Sequence, residues 1–145
     1  KAWAKDAKAL KYLYEEVLHP SHSKQEWDQG NWEKRLDRFY QDSHYHILVA
    51  EEAGCVVATA TLVIVENMTY QLRPYGIIEN VVTHSDYRGK GYATEYLNYA
   101  KQIAENTNCY KMMLLTGSKK KEILNFYGNA RYNSTDKTAF IQWIE

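Results

Sequence analysis

One stretch of the chain restricts its fold more than any other: Ile78-Glu79-Asn80-Val81-Val82-Thr83-His84-Ser85-Asp86-Tyr87-Arg88-Gly89-Lys90-Gly91-Tyr92-Ala93. Residues 75–83 are largely apolar and rich in β-branched side chains, interrupted only by the polar pair Glu79-Asn80, and read as a strand. The turn residues Thr83-His84-Ser85-Asp86 follow, then Gly89 and Gly91. Beyond them Ala93, Tyr96, Leu97, Ala100, Ile103 and Ala104 recur at helical spacing. A strand that runs through a glycine-spaced turn into a helix brings free N–H groups and the positive end of the helix dipole to one point. Glycine lets the backbone approach an anion there. Arg88 and Lys90 add positive charge at the same place. The combination suits a pyrophosphate.

The remaining elements follow from period and punctuation. Ala7, Leu10, Tyr14, Val17 and Leu18 predict a helix over 6–18, closed by His19-Pro20. A turn, Pro20-Ser21-His22-Ser23, leads to a second helical pattern carried by Trp27, Trp32, Leu36, Phe39 and Tyr40. Residues 45–50 and 55–66 predict an antiparallel hairpin about Glu52-Ala53-Gly54. A looser stretch, 67–74, precedes the strand over 75–83. A short buried strand over 110–116, a turn at Gly117-Ser118, a short helix ending at Tyr127 and a closing strand over 138–143 complete the order. Helices, then strands, then alternating strand and helix predict an α+β sandwich with helices on a mixed sheet. Its 145 residues form a single domain spanning 1–145, long enough for one core without metal or disulfide staples.

Charge narrows the partners. Lys plus Arg and Asp plus Glu both number 18, so the chain has no general field that would draw it to nucleic acid or to an anionic membrane. Any anion site must be local. No apolar run reaches the roughly 18–20 residues of a membrane span, and no secretory apolar core opens the sequence, so the chain reads as cytoplasmic. Cys55 and Cys109 belong to no close-spaced motif and read as reduced thiols. His44 and His46 share an expected strand face without a third ligand at metal spacing, so no metal is expected.

A glycine pair before a helix also occurs in plain helix starts, so the surrounding pattern decides. A dinucleotide fold wants Gly-x-Gly-x-x-Gly, and a P-loop wants a Gly-Lys-Ser/Thr ending; neither is present. Arg88-Gly89-Lys90-Gly91-Tyr92-Ala93 instead resembles the (Arg/Gln)-x-x-Gly-x-(Gly/Ala) signature of the GNAT superfamily of N-acetyltransferases. The resemblance runs from about 75 to 132, through Asn108-Cys109-Tyr110-Lys111 and Asn125-Phe126-Tyr127. Within that superfamily, Ile78-Glu79-Asn80-Val81-Val82 and Cys109-Tyr110-Lys111 are most similar to glucosamine-6-phosphate N-acetyltransferases. The resemblance implies the GNAT fold, a splayed mixed sheet of about six strands flanked by about four helices. It also implies acetyl-CoA as co-substrate, a small-molecule or peptide amine as acceptor, and direct transfer in a ternary complex. A homodimer is compatible with it.

The same resemblance assigns roles. Val81 and Val82 offer backbone N–H groups to the acetyl carbonyl and pantetheine arm, and Arg88, Gly89, Lys90, Gly91, Tyr92, Ala93 and Thr94 hold the pyrophosphate. Glu79 is the candidate base for the acceptor ammonium and Tyr127 the candidate acid for the departing thiolate. Each has a plainer reading: a strand exposes alternate side chains in any case, and Phe126-Tyr127 can serve as a core pair. His84 reads as a solvated turn residue and Lys119-Lys120-Lys121 as a solvated helix start. Three departures stand out. Lys120 replaces a usual Asn, Arg131 replaces a usual Gly, and the usual opening strand is very short or missing. With Arg131 in that place, Gly128 or Asn129 is expected to supply the left-handed residue that ends the last helix. The acceptor side is expected from the first two helices and residues 67–74. The Arg131 departure also leaves room for a non-catalytic acyl-CoA-binding or regulatory module.

Overall fold

Strand pairing builds the molecule from its middle outward. In the computed structural model, which describes residues 1–20 and 26–144, β1 (Tyr45–Glu52) pairs antiparallel with β2 (Cys55–Val65). The expected turn residues Ser21, His22 and Ser23 lie outside the described residues. Ala53 and Gly54 join β1 to β2 with φ of 51° and 79°, the left-handed pair whose twist matches that of the strands. Strand β3 (Tyr75–Thr83) lies antiparallel to β2, and β4 (Met112–Leu114) parallel to β3, giving the order β1-β2-β3-β4.

Helix α1 (Ala7–Tyr12) is entered through a 3-10 turn, Ala4–Asp6, and continues as π-helical turns over Leu13–Leu18. Helix α2 (Gln29–Gln41) starts at Asp28, whose carboxylate accepts from Asn31 N at 3.0 Å. Helix α3 (Tyr92–Asn106) crosses from β3 to β4, and α4 (Lys121–Asn129) follows.

The period of two along β2 divides the core into two layers. Ala58, Ala60, Leu62 and Ile64 join Leu48, Ile78 and the α3 residues Tyr96, Leu97 and Ala100. On the other face Ile47 packs with Ala2, Ala7, Leu10 and Leu36. Thr59 and Thr61 are also buried, and Thr59 Oγ1 donates to Leu48 O at 2.8 Å.

Four expectations are corrected. The sheet among the described residues has four strands and not six. The buried strand over 110–116 shrinks to Met112–Leu114, and residues 138–144 form no strand. A β-rich sequence becomes a strand only where its N–H and C=O groups find a partner, and 138–144 finds none among the described residues. The opening strand is reduced to one bond, Ala2 N to Ile47 O at 2.7 Å, with Trp3 extended after it. Arg131, and not Gly128 or Asn129, takes the left-handed conformation, at φ 67°. Arg131 N donates to Gly128 O at 2.9 Å and Tyr132 N to Tyr127 O at 3.0 Å, the two bonds of a Schellman end. Gly128 and Asn129 remain inside the helix, so the left-handed position falls one residue past the cap. Helix α3 ends in the same way at Asn108, φ 60°.

Candidate active site

A bulge sets the geometry. Thr59 pairs with Val82 and Thr61 with Glu79, so two residues of β3 stand opposite the single residue Ala60. Asn80 accommodates the extra residue with φ 52°; Asn tolerates the left-handed region better than most side chains. The bulge puts Val82 beside Thr59, where it is buried, while Val81 packs toward the α3 layer. It coincides with a second break. β3 and β4 pair only at Gly76–Met112, Ile77–Met113 and Ile78–Leu114. From Glu79 onward no strand among the described residues pairs with this edge of β3, and the open edge past Ile78–Leu114 is the splay.

The splay leads to the anion loop. His84 Nδ1 accepts from Asp86 N at 3.1 Å, capping the 3-10 turn Ser85–Tyr87, and its ring stacks on Tyr12 at 5.6 Å. It is therefore built into the turn and not merely solvated. Gly89 and Gly91 hold φ of 75° and 89°. Gly91 caps α3 without a side chain, so no side-chain oxygen satisfies the N–H groups of Tyr92, Ala93 and Thr94. Arg88 is exposed beside them, with Nε donating to Thr83 O at 3.3 Å. Lys90 is engaged elsewhere: Nζ lies 3.1 Å from Glu52 Oε1 and 4.8 Å from the centroid of the Tyr87 ring. Tyr92 hydroxyl also donates to Glu52. That bond, and then Lys90, holds the Glu52 carboxyl below its ordinary range; the Tyr92 phenol is pushed up to about 12, chiefly by the same bond.

Glu79 is exposed on the face opposite the α3 layer, alongside Thr61 and Ile47. Tyr45 stands near it: burial raises this phenol first, Arg35 opposes, and Glu79 raises it further. Tyr14, from the π-helical turns, brings a buried hydroxyl toward Thr59 and Thr61 without a close hydrogen bond. Its ring lies 6.4 Å from Trp32, which lies 5.4 Å from Trp27. Tyr127 is on the other layer, half-buried in α4, 5.2 Å from Phe126 and 6.2 Å from Tyr132 between ring centroids. Burial alone raises its phenol. No hydrogen bond joins Glu79 to Tyr127, which lie on opposite layers of the sheet.

The match that decides identity is to the family model described as "Acetyltransferase (GNAT) family", over residues 8–130. The chain belongs to the GNAT acetyltransferases. A putative acetyltransferase from Agrobacterium tumefaciens is 36% identical, with 98% of this chain and 96% of that one covered at a TM-score of 0.86. Glucosamine-6-phosphate N-acetyltransferase from Arabidopsis thaliana shares the fold at 21% identity, covering 100% and 96% at a TM-score of 0.83. A ribosomal-protein-alanine N-acetyltransferase from Brucella melitensis does so at 18% identity, covering 98% and 96% at 0.74. The names of these last two specify a sugar and a protein acceptor on one fold.

In this GNAT chain some site neighbours escape sequence reasoning. Glu52 lies 38 residues before Lys90, and only the hairpin register brings it to the loop. Tyr132 and Tyr96 are pushed up to about 12 by burial first, and each is raised further by Tyr127. Their neighbours could have been found only by knowing how α3 and α4 cross. His44 sits in the turn before β1 and bonds Glu66 at 2.8 Å, while His46 bonds Ser43 O at 2.9 Å. Among the described residues no three His, Cys, Asp or Glu side chains gather at a metal-sized site.

Proposed function

We propose that this GNAT protein transfers the acetyl group of acetyl-CoA to a primary amine of a small molecule or peptide, directly within a ternary complex. The observation that carries the reading is the splay of β3 from β4 beyond Ile78–Leu114, an unpaired backbone edge running to an uncapped helix N-terminus. Both features fit the coenzyme: the edge supplies hydrogen-bonding groups to an amide-bearing arm, and the loop supplies donors and charge to a pyrophosphate.

When bound, acetyl-CoA supplies an electrophilic thioester carbonyl and a thiolate leaving group. Arg88, Lys90 and the backbone of Gly89, Gly91, Tyr92, Ala93 and Thr94 hold its anionic end. Lys90 is shared with Glu52, so Glu52 tempers the charge of the loop. Backbone N–H groups at Val81 and Val82 are the donors proposed for the acetyl carbonyl and the pantetheine arm. Glu79 takes the proton of the acceptor ammonium, directly or through one water, which frees the amine lone pair. Tyr127 returns a proton to the sulfur. Its raised phenol stays protonated at neutral pH, the state a proton donor requires.

Release of free thiol from acetyl-CoA, followed across a panel of amino sugars, polyamines, amino acids and peptide N-termini, tests the reading. Thiol release matched by an equal amount of N-acetylated product is expected with one class. A protein that binds coenzyme A and turns over no amine is instead a binding module.

A further inference from the structure

Strand β1 ends beside the anion loop. Its period of two puts Leu48 and Ala50 on the α3 face; Glu52 follows them, and Glu51 faces the other layer. Each carboxylate meets a lysine there: Glu51 lies 3.6 Å from Lys5, and Glu52 3.1 Å from Lys90. Glu52 pairs with Cys55 across the hairpin, and Val57 O on the same strand accepts from His84 N at 2.8 Å, in the turn that opens the loop. Backbone pairing on both sides therefore brings Glu52 to Lys90. Lys90 Nζ reaches both carboxylate oxygens, at 3.1 and 3.4 Å. The Tyr92 hydroxyl donates to the same carboxylate, and its phenol, pushed up to about 12 chiefly by that bond, stays a donor throughout the neutral range. Arg88 makes no ion pair among the described residues and donates to a neutral partner, Thr83 O. The two cations that flank Gly89 are thus in different states: Arg88 is open to an anion, and Lys90 already holds one.

A carboxylate with two donors, only one of which an incoming anion can claim, allows an exchange. A diphosphate at the loop competes with Glu52 for Lys90. Once Lys90 turns to the diphosphate, Glu52 keeps the Tyr92 hydroxyl and is not left without a partner. We propose that Glu52 is an internal competitor for the coenzyme's diphosphate at Lys90, with Tyr92 holding the carboxylate during the exchange, so that its return to Lys90 hastens release of the spent coenzyme. The inference rests on the coenzyme reading of the loop given above. Release limits turnover in many enzymes, so a residue that weakens binding can still serve the reaction. Both side chains are partly exposed, at 47% and 38%, and solvent screening holds the effect to about two- to fivefold in affinity. A change of this kind falls mainly on dissociation. A carboxylate that merely propped Lys90 in place for the ligand would act with the opposite sign.

Calorimetry with coenzyme A, joined to stopped-flow displacement for the dissociation rate, tests the exchange on variants shown to be folded by circular dichroism. Glu52→Gln removes the charge and keeps an acceptor oxygen for Tyr92. It is expected to bind coenzyme A about two- to fivefold more tightly, through slower dissociation; equal or weaker binding overturns the proposal. Tyr92→Phe takes away the partner that Glu52 keeps during the exchange and is expected to bind more weakly. Equal or tighter binding by Tyr92→Phe overturns the part given to Tyr92. In a Lys90→Gln background the gain from Glu52→Gln is expected to vanish. A gain of the same size there would mean that Glu52 acts through its general field, and would overturn competition at Lys90. Inorganic pyrophosphate serves as a second probe. A parent protein that binds neither coenzyme A nor pyrophosphate overturns the coenzyme reading and this inference with it, whereas a parent that binds both, with Glu52→Gln binding no tighter, overturns this inference alone.

Discussion

Tyr127 and Glu79 lie on opposite layers of the sheet, so under the proposed function the two proton transfers separate in space and in experiment. Tyr127→Phe removes one hydroxyl and keeps the ring against Phe126 and Tyr132. Turnover is expected to fall on the order of 10²-fold, at the lower end for one general acid, with coenzyme affinity unchanged by calorimetry. The loss grows toward high pH, where water is a poorer proton source. Glu79→Gln should act in the other direction along the pH axis. A primary amine with a pKa of about 10 is almost wholly protonated at neutral pH, so the defect is largest there and shrinks as the medium deprotonates the acceptor. A loss of equal size at every pH would assign Glu79 to acceptor positioning.

Left-handed backbone decides how the elements join, and two predictions test it. Gly91 caps α3 at φ 89°, and a Cβ added there meets nothing within 4 Å. Gly91→Val is therefore a conformational lesion, not a clash, costing at least about 1–2 kcal/mol. The fold should survive by circular dichroism while coenzyme binding is lost, because the loop can no longer present its N–H groups. Arg131 bears the same cost in the native chain at φ 67°. Arg131→Gly keeps both Schellman bonds and is expected to stabilise by about 1 kcal/mol, seen as a rise in Tm of about 2–4 °C; an unchanged Tm would show that the Arg side chain compensates elsewhere. These positions also mark how far the sequence could be read. β3 was legible end to end because its apolar run ends at a turn, and the loop because glycines and charge adjoin a strong helical period. The bulge was not legible, since it exists only in the register of Thr59 and Thr61 against Val82 and Glu79. Glu52 was missed for the same reason. The strand over 138–143 was misplaced because β propensity reports a wish for partners and not where they are.

The sheet divides the protein into a layer with α3, the loop and Tyr127 and a second layer of α1, the π-helical turns and α2, onto which Glu79 and Thr61 face; under the proposed function the first is the coenzyme layer. Under the proposed function the acceptor amine approaches from the second layer, where Tyr14, Tyr45, Trp27 and Trp32 form an aromatic wall. An ammonium group suits such a wall, being attracted by ring faces on the way to Glu79. Among the described residues the Tyr14 hydroxyl is the polar atom on that wall with no close partner, and π-helical turns often occur where function has reshaped a helix. Tyr14→Phe separates a structural hydroxyl from one reserved for the acceptor. If it is structural, removing an unsatisfied buried group leaves stability unchanged or slightly higher and kinetics untouched. If it serves the acceptor, KM for the amine rises about tenfold, corresponding to about 1.4 kcal/mol for a lost hydrogen bond. Coenzyme affinity, set in the other layer, should then change by less than about twofold, since groups without shared partners act almost additively. The acceptor outcome is expected, with steady-state kinetics and calorimetry run on the same preparation. A fall in coenzyme affinity with the amine KM unchanged would show that the layers do not divide the work in this way.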